Sequence, residues 1–177
     1  MITSASERST GVKILGFGTR LDMVALFYAK YVYYIKKPME GGEMPKAKIN
    51  GININYEVHG HGEPLVLIMG GICEHRGWMF QTCAFKKYYR VITFDNRGIG
   101  KSDRPGGCVA YSMKIMADDV VGLMDHLGIE KAHVLGVSLG GMIAQVLAIN
   151  YPDRINKLIL ASTFARRDAR NDPSGIA

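Results

Sequence analysis

From residue 44 onward, apolar side chains follow two rhythms that alternate along the chain. In Ile-Asn-Ile-Asn-Tyr-Glu-Val (52–58) they recur at every second position, at Ile52, Ile54, Tyr56 and Val58. A period of two puts them on one face, which predicts a half-buried strand. Residues 46–50 predict a strand before it. Asn50-Gly51 between the two suits a tight hairpin, whose central positions require positive φ. Residues 64–69 (PLVLIM), 90–94, 132–137 and 155–161 are largely unbroken apolar runs. Such runs predict strands covered on both faces, as in a parallel sheet. The helical rhythm fills the gaps, over 78–89, over 112–127 and over 139–150. In the second of these, Met113, Met116, Ala117, Val120, Met124 and Leu127 share a face. Ser112 is its predicted N-cap and Gly128 its stop. Tyr151-Pro152 breaks the third. Gly60-His61-Gly62-Glu63-Pro64 and residues 95–105 read as loops. Strands alternating with helices predict an α/β fold with a mostly parallel sheet.

Residues 1–43 do not share this order. Their apolar stretch, MVALFYAKYVYYI (23–35), is shorter than the ~20 residues a membrane-spanning helix needs, and Lys30 interrupts it. An interfacial helix flanked by Lys36 and Lys37 is the competing reading. Glu40-Gly41-Gly42-Glu43 stands directly before Met44, and its codons can spell a purine-rich ribosome-binding site. The expectation is therefore a non-native N-terminal extension (1–43), a core domain (44–165) and a polar tail (166–177).

Composition narrows the class. With 47% hydrophobic and 21% charged residues, the chain carries enough apolar matter for a packed core. The net charge of +6 is spread over pairs such as Lys36-Lys37, Lys86-Lys87 and Arg166-Arg167. No single element gathers it, which argues against a nucleic-acid surface. Cys73, Cys83 and Cys108 match no zinc or redox spacing and read as free thiols of a reducing, cytoplasmic setting. No secretory signal opens the chain. No metal or organic cofactor is implied, membrane attachment is not expected, and oligomeric state is left open.

The chemistry centres on Gly136-Val137-Ser138-Leu139-Gly140. This Gly-x-Ser-x-Gly follows an apolar strand and opens a helix, the setting of a nucleophile elbow. A sharp turn there holds Ser138 as the candidate catalytic nucleophile. The helix N-terminus supplies free N–H groups and a partial positive charge, so the Leu139 amide is a candidate oxyanion donor. Gly71, just after the 64–69 strand, is the second candidate donor, since no side chain obstructs its N–H. A plain strand-ending turn explains Gly70-Gly71 as well. Gly98-Ile99-Gly100-Lys101-Ser102 is not a phosphate loop, because Asp95 occupies the position of the required first glycine.

Four features in matching order, PLVLIMGG, the loop from Phe94 to Asp103, the helix around Met116-Ala117-Asp118-Asp119, and HVLGVSLGGMIAQ followed by YPDRINKLIL, carry a family resemblance. Over residues 44–163 the chain resembles the N-terminal two thirds of an α/β-hydrolase of the enol-lactonase, esterase and cofactor-free haloperoxidase type. Met69 stands where that family often has His. The resemblance implies a serine hydrolase of small carboxylic esters or lactones, similar to 3-oxoadipate enol-lactonases, working by acyl transfer through Ser138. A serine argues against the branches with an Asp nucleophile, the epoxide hydrolases and haloalkane dehalogenases. The resemblance also implies that Asp95 and Arg97 form a structural pair bracing their loop. In this fold the acid and the base follow the serine. Here His59, His61, His75, His126 and His133 all precede it, and the later acids are Asp153, Asp168 and Asp172. His75 is read as a loop residue. The expectation is a sheet truncated after its sixth strand, without the triad acid and histidine, and with residues 155–161 as an aggregation-prone edge. The alternative is a non-catalytic fragment or binding module that retains the fold.

Overall fold

At Asn50 and Gly51 the chain turns back on itself with φ of 50° and 82°, as a type I′ hairpin requires. The structure, a computed structural model, describes residues 45–165. The 23–35 stretch, the Met44 start, the tail from residue 166, Asp168 and Asp172 lie outside the described residues. The hairpin joins β1 (Lys46–Ile49) to β2 (Ile52–His59) with Ile49 opposite Ile52. The elements that follow are β3 (Glu63–Ile68), α1 (Met79–Phe85), β4 (Tyr89–Phe94), α2 (Met113–His126), β5 (Ala132–Val137), α3 (Leu139–Asn150) and β6 (Ile155–Ala161). Short 3-10 turns occupy His75–Trp78, Cys108–Tyr111 and Pro152–Arg154. The sheet order is β1-β2-β4-β3-β5-β6. β1 and β2 run antiparallel to their neighbours, and β4, β3, β5 and β6 run parallel.

The double-sided burial expected of the apolar runs holds for β3, β4 and β5, and fails for β6. In β3, Val66 and Ile68 face the cluster built with α2 and α3, where Ile92, Phe94, Val120, Leu123, Ile143 and Leu147 are all buried. Leu65, Leu67 and Met69 face the other way, onto Val91 and Trp78. Each such side chain removed from water contributes about 1.5–3 kcal/mol, so the two layers carry the fold.

Two features differ from expectation. The helix predicted over 78–89 is shorter, because Lys86, Lys87 and Tyr88 are exposed and bury nothing. Tyr89 instead pairs with Glu63 as the first residue of β4. Asn55, a polar position of the β2 alternation, is fully buried. Its side-chain nitrogen donates to Asp95 Oδ2 at 2.9 Å, which offsets part of the cost of burying it, while Oδ1 has no partner among the described residues.

Among the described residues β6 is the outermost strand on its side of the sheet, and its apolar residues lie open. Leu158, Ile159 and Leu160 retain 36%, 49% and 42% of their surface. Ile159 also borders an apolar hollow of about 150 Å³ shared with Leu65, Phe85, Tyr89 and Leu135. Among the described residues no helix is long and apolar enough to cross a membrane.

Candidate active site

Between β5 and α3 the backbone makes one abrupt turn, and Ser138 is the residue that makes it. Its φ of 54° and ψ of −120° lie in a region that costs a non-glycine residue about 1–3 kcal/mol. Two glycines permit the turn by close approach. A side chain on Gly136 would strike the Gly140 carbonyl, and one on Gly140 would strike the carbonyls of Ile68 and Met69. The first turn of α3 thus rests directly on the ends of β5 and β3.

Hydrogen bonds on both sides of the peptide hold Ser138 in place. Its N–H donates to the Ala161 carbonyl at 3.0 Å. Its carbonyl accepts from the N–H groups of Gly141 (3.0 Å) and Met142 (3.2 Å). The Thr163 hydroxyl donates to the same carbonyl at 2.8 Å. The side chain itself is exposed. Leu139 and Gly140, at the head of α3, have N–H groups without an intrahelical acceptor, as the first residues of any helix do.

The loop after β3 faces this turn. Gly70 lies against the serine, with its Cβ position 3.0 Å from Ser138 Cβ and 3.6 Å from Oγ. Gly71, the next residue, has open space where a side chain would be. The Met69 carbonyl accepts from Asn96 Nδ2 at 3.0 Å. Gly70, Ser138 and Leu139 therefore lie at one end of the sheet, the carboxyl end of β3 and β5, with Gly71 next in the chain after Gly70. The apolar hollow beside Ile159 is also lined by His133 and Lys157, near the strand starts, and lies away from the serine.

The charged pairs correct one expectation. Asp95 and Arg97 do not brace each other. Arg97 forms a two-pronged ion pair with Asp119, Nε to Oδ2 at 2.6 Å and Nη2 to Oδ1 at 2.7 Å. Its Nη1 donates to the Ala110 carbonyl at 2.7 Å. Asp95 finds His75 twenty positions before it, and Arg97 finds Asp119 twenty-two positions after it.

Asp95 pairs instead with His75, which sequence reasoning placed merely in a loop. His75 is buried, and both its backbone N–H (2.8 Å) and its Nδ1 (2.7 Å) bond to Asp95 Oδ1. Its Nε2 stands 3.5 Å from Glu57 Oε1. Burial pushes the imidazole down, but the hydrogen bonds and charges of Asp95 and Glu57 outweigh it and raise His75 to about 9. Glu57 is held down to about 2, first by its bond to His75. Asp95 is raised by burial and lowered by His75, with a net fall. No spacing rule in the sequence links residues 57, 75 and 95. The pairing of β2 with β4 brings Glu57 toward Asp95, and the turn after β3 brings in His75.

The remaining histidines are engaged elsewhere or exposed. His59 bonds to Glu57 at 2.8 Å, His126 approaches the Tyr56 hydroxyl at 3.4 Å, and His133 bonds to Glu63 at 2.8 Å. His61 is exposed in the loop before β3, and Asp153 is exposed in the turn before β6. No hydrogen bond joins any of them to Ser138. Cys73 and Cys83 are free thiols.

The fold agrees with comparison to known proteins. A family model described as alpha/beta hydrolase fold matches residues 63–175. A Caulobacter segnis protein, provisionally named carbamate hydrolase RutD, is 40% identical over 119 residues, which are 65% of this chain and 45% of that protein. Epoxide hydrolase 4 of Mus musculus is 37% identical over 117 residues, 65% of this chain and 33% of the relative. Among solved structures, the enol-lactonase from Burkholderia xenovorans LB400 superposes with a TM-score of 0.66 at 35% identity, over 69% of this chain and 48% of that one. The chain spans less than half the length of these relatives.

Proposed function

This chain belongs to the alpha/beta hydrolase fold family, and we propose that it carries the nucleophile of a serine hydrolase acting on small carboxylic esters or lactones. The observation behind the reading is Ser138 itself, set at φ 54° on the turn from β5 to α3 with Gly70 against its side chain. An exposed hydroxyl on such a turn reaches a carbonyl carbon without rearranging the backbone. Attack places negative charge on the carbonyl oxygen. The Leu139 and Gly71 N–H groups are the donors for that oxyanion, and one such donor is worth about 2.7–4 kcal/mol of barrier. Collapse of the tetrahedral adduct expels the alcohol and leaves an acyl group on Ser138, which water then removes.

Ser138 needs a base to take its proton, and the histidines of residues 45–165 are committed elsewhere or exposed. In the order this fold uses, an acid and then a histidine follow the serine. A proton acceptor contributed by polypeptide after residue 165 fits that order. The relatives' names span carbamate, epoxide and lactone substrates. A serine favours the acyl-transfer members of that set.

A fluorophosphonate probe tests the reading. Weak labelling of the 177-residue chain is expected, with strong labelling at Ser138 once downstream sequence carrying an acid and a histidine is joined to it. Ser138→Ala abolishes the label. Equal labelling of Ser138→Ala would sink the assignment. No labelling of the extended form would favour a second reading, a binding module that keeps the fold without the chemistry.

A further inference from the structure

The buried His75 and Asp95 and the half-buried Glu57 form an ionic chain behind the loop that bears Gly71. We propose that His75, as an imidazolium, is a positioning residue that bolts residues 70–74 to the sheet and so aims the Gly71 N–H at the space beside Ser138. The inference rests on the reading of Gly71 as an oxyanion donor.

The protonation state follows from the contacts. A carboxylate only accepts hydrogen bonds, so Nδ1, 2.7 Å from Asp95 Oδ1, must carry a proton. The other ring nitrogen faces a second carboxylate, Glu57, at 3.5 Å. A neutral ring would turn a lone pair toward that carboxylate, whereas a cation is held by both, by hydrogen bond to Asp95 and by charge across 3.5 Å to Glu57. The raised affinity of His75 for its proton agrees with this.

Other charged groups near the chain leave the balance intact. His59 bonds to the far oxygen of Glu57 at 2.8 Å. Lys101 offers Asp95 only its backbone N–H, at 3.0 Å. Arg97 is spent on Asp119. Glu74 and Arg76 flank His75 in sequence. Asp95 Oδ2 also accepts from Asn55 Nδ2 at 2.9 Å, so both of its oxygens are occupied and the carboxylate is a fixed anchor.

The loop's two ends are tied to neighbouring residues at the end of β4. Asn96 holds the Met69 carbonyl and Asp95 holds His75. Between these ties Gly70 packs on Ser138. Releasing the His75 end frees the segment that contains Gly71 while Met69 and the strand before it stay in place.

Two measurements on the 177-residue chain, kept below the concentration at which β6 drives self-association, test this. By NMR, the His75 ring titrates with a midpoint near 9, and the Gly71 amide resonance shifts with the same midpoint. By hydrogen exchange, His75→Ala speeds exchange of the 70–74 amides about tenfold or more. His75→Gln, which can still donate to Asp95, restores part of the protection, and His133→Ala changes nothing there. A ring titrating at its ordinary 6.5, a Gly71 amide indifferent to that titration, or unchanged loop exchange in His75→Ala would each overturn the proposal. If His75→Ala does not fold, the wild-type titration decides alone. Both measurements are independent of Ser138 labelling. A clamped loop beside an unlabelled serine therefore refutes the proposed function alone, and a labelled serine beside an indifferent loop refutes this inference alone.

Discussion

A buried imidazolium makes stability depend on pH in a direction fixed by its partners. Folded His75 keeps its proton to about 9, whereas its ordinary value is 6.5. Between those limits the native state holds a proton that the unfolded chain has lost. Its contribution is complete below 6.5 and is lost as pH rises through 9. Glu57 acts on the acid side, because its value falls from 4.5 to about 2. Its contribution is present above 4.5 and is lost as pH falls through 2. Urea midpoints should therefore be highest between these two arms and fall from about pH 6.5 toward 9, and His75→Gln should flatten the alkaline arm. A midpoint that rises with pH across that range would contradict the ionic chain.

At the scale of elements, the short side chains that begin and end segments are small but measurable terms. Ser112 Oγ accepts from the Ile115 N–H at 3.2 Å, and Gly128 follows α2 with φ of 65°. Ser112→Ala should lower stability by about 0.5–1 kcal/mol, read as a shift in urea midpoint at constant slope. Periodicity alone located β5, α3 and β6, because both rhythms there are unbroken and the punctuation is strong. It overran α1, where Tyr89 had a strand partner 26 positions earlier that no local pattern reveals. The site divides in the same way. Ser138, Leu139 and Gly71 are legible from short motifs, since their roles come from backbone turns coded by adjacent glycines. His75 is not, since its role comes from Asp95 and Glu57, which the sheet brings to it. Asp95 and Arg97, a pair implied by the family resemblance, are close in sequence but pointed at different neighbours.

Across the whole molecule, the weakest surface is β6. An edge strand with Leu158, Ile159 and Leu160 part-exposed offers both unpaired backbone groups and apolar area to another chain. The 177-residue chain is expected to self-associate in a concentration-dependent way on size exclusion with light scattering. Ile159→Lys, on the face of the apolar hollow, should shift it toward monomer. A wild-type chain that stays monomeric at high concentration would show that this edge is protected.

Thr163 gives the serine turn a further reach. Its hydroxyl holds the Ser138 carbonyl, and Gln145 Nε2 on α3 bonds the Phe164 carbonyl at 3.2 Å, so residues past β6 belong mechanically to the turn between β5 and α3. This bears on dividing the protein into two complementing fragments, as in a split reporter. A cut in the turn between α3 and β6 would separate the nucleophile from the residues that hold its backbone, and each half would carry an unmade site. A cut after Phe164 would keep the whole turn on one fragment, ready to meet whatever the other supplies.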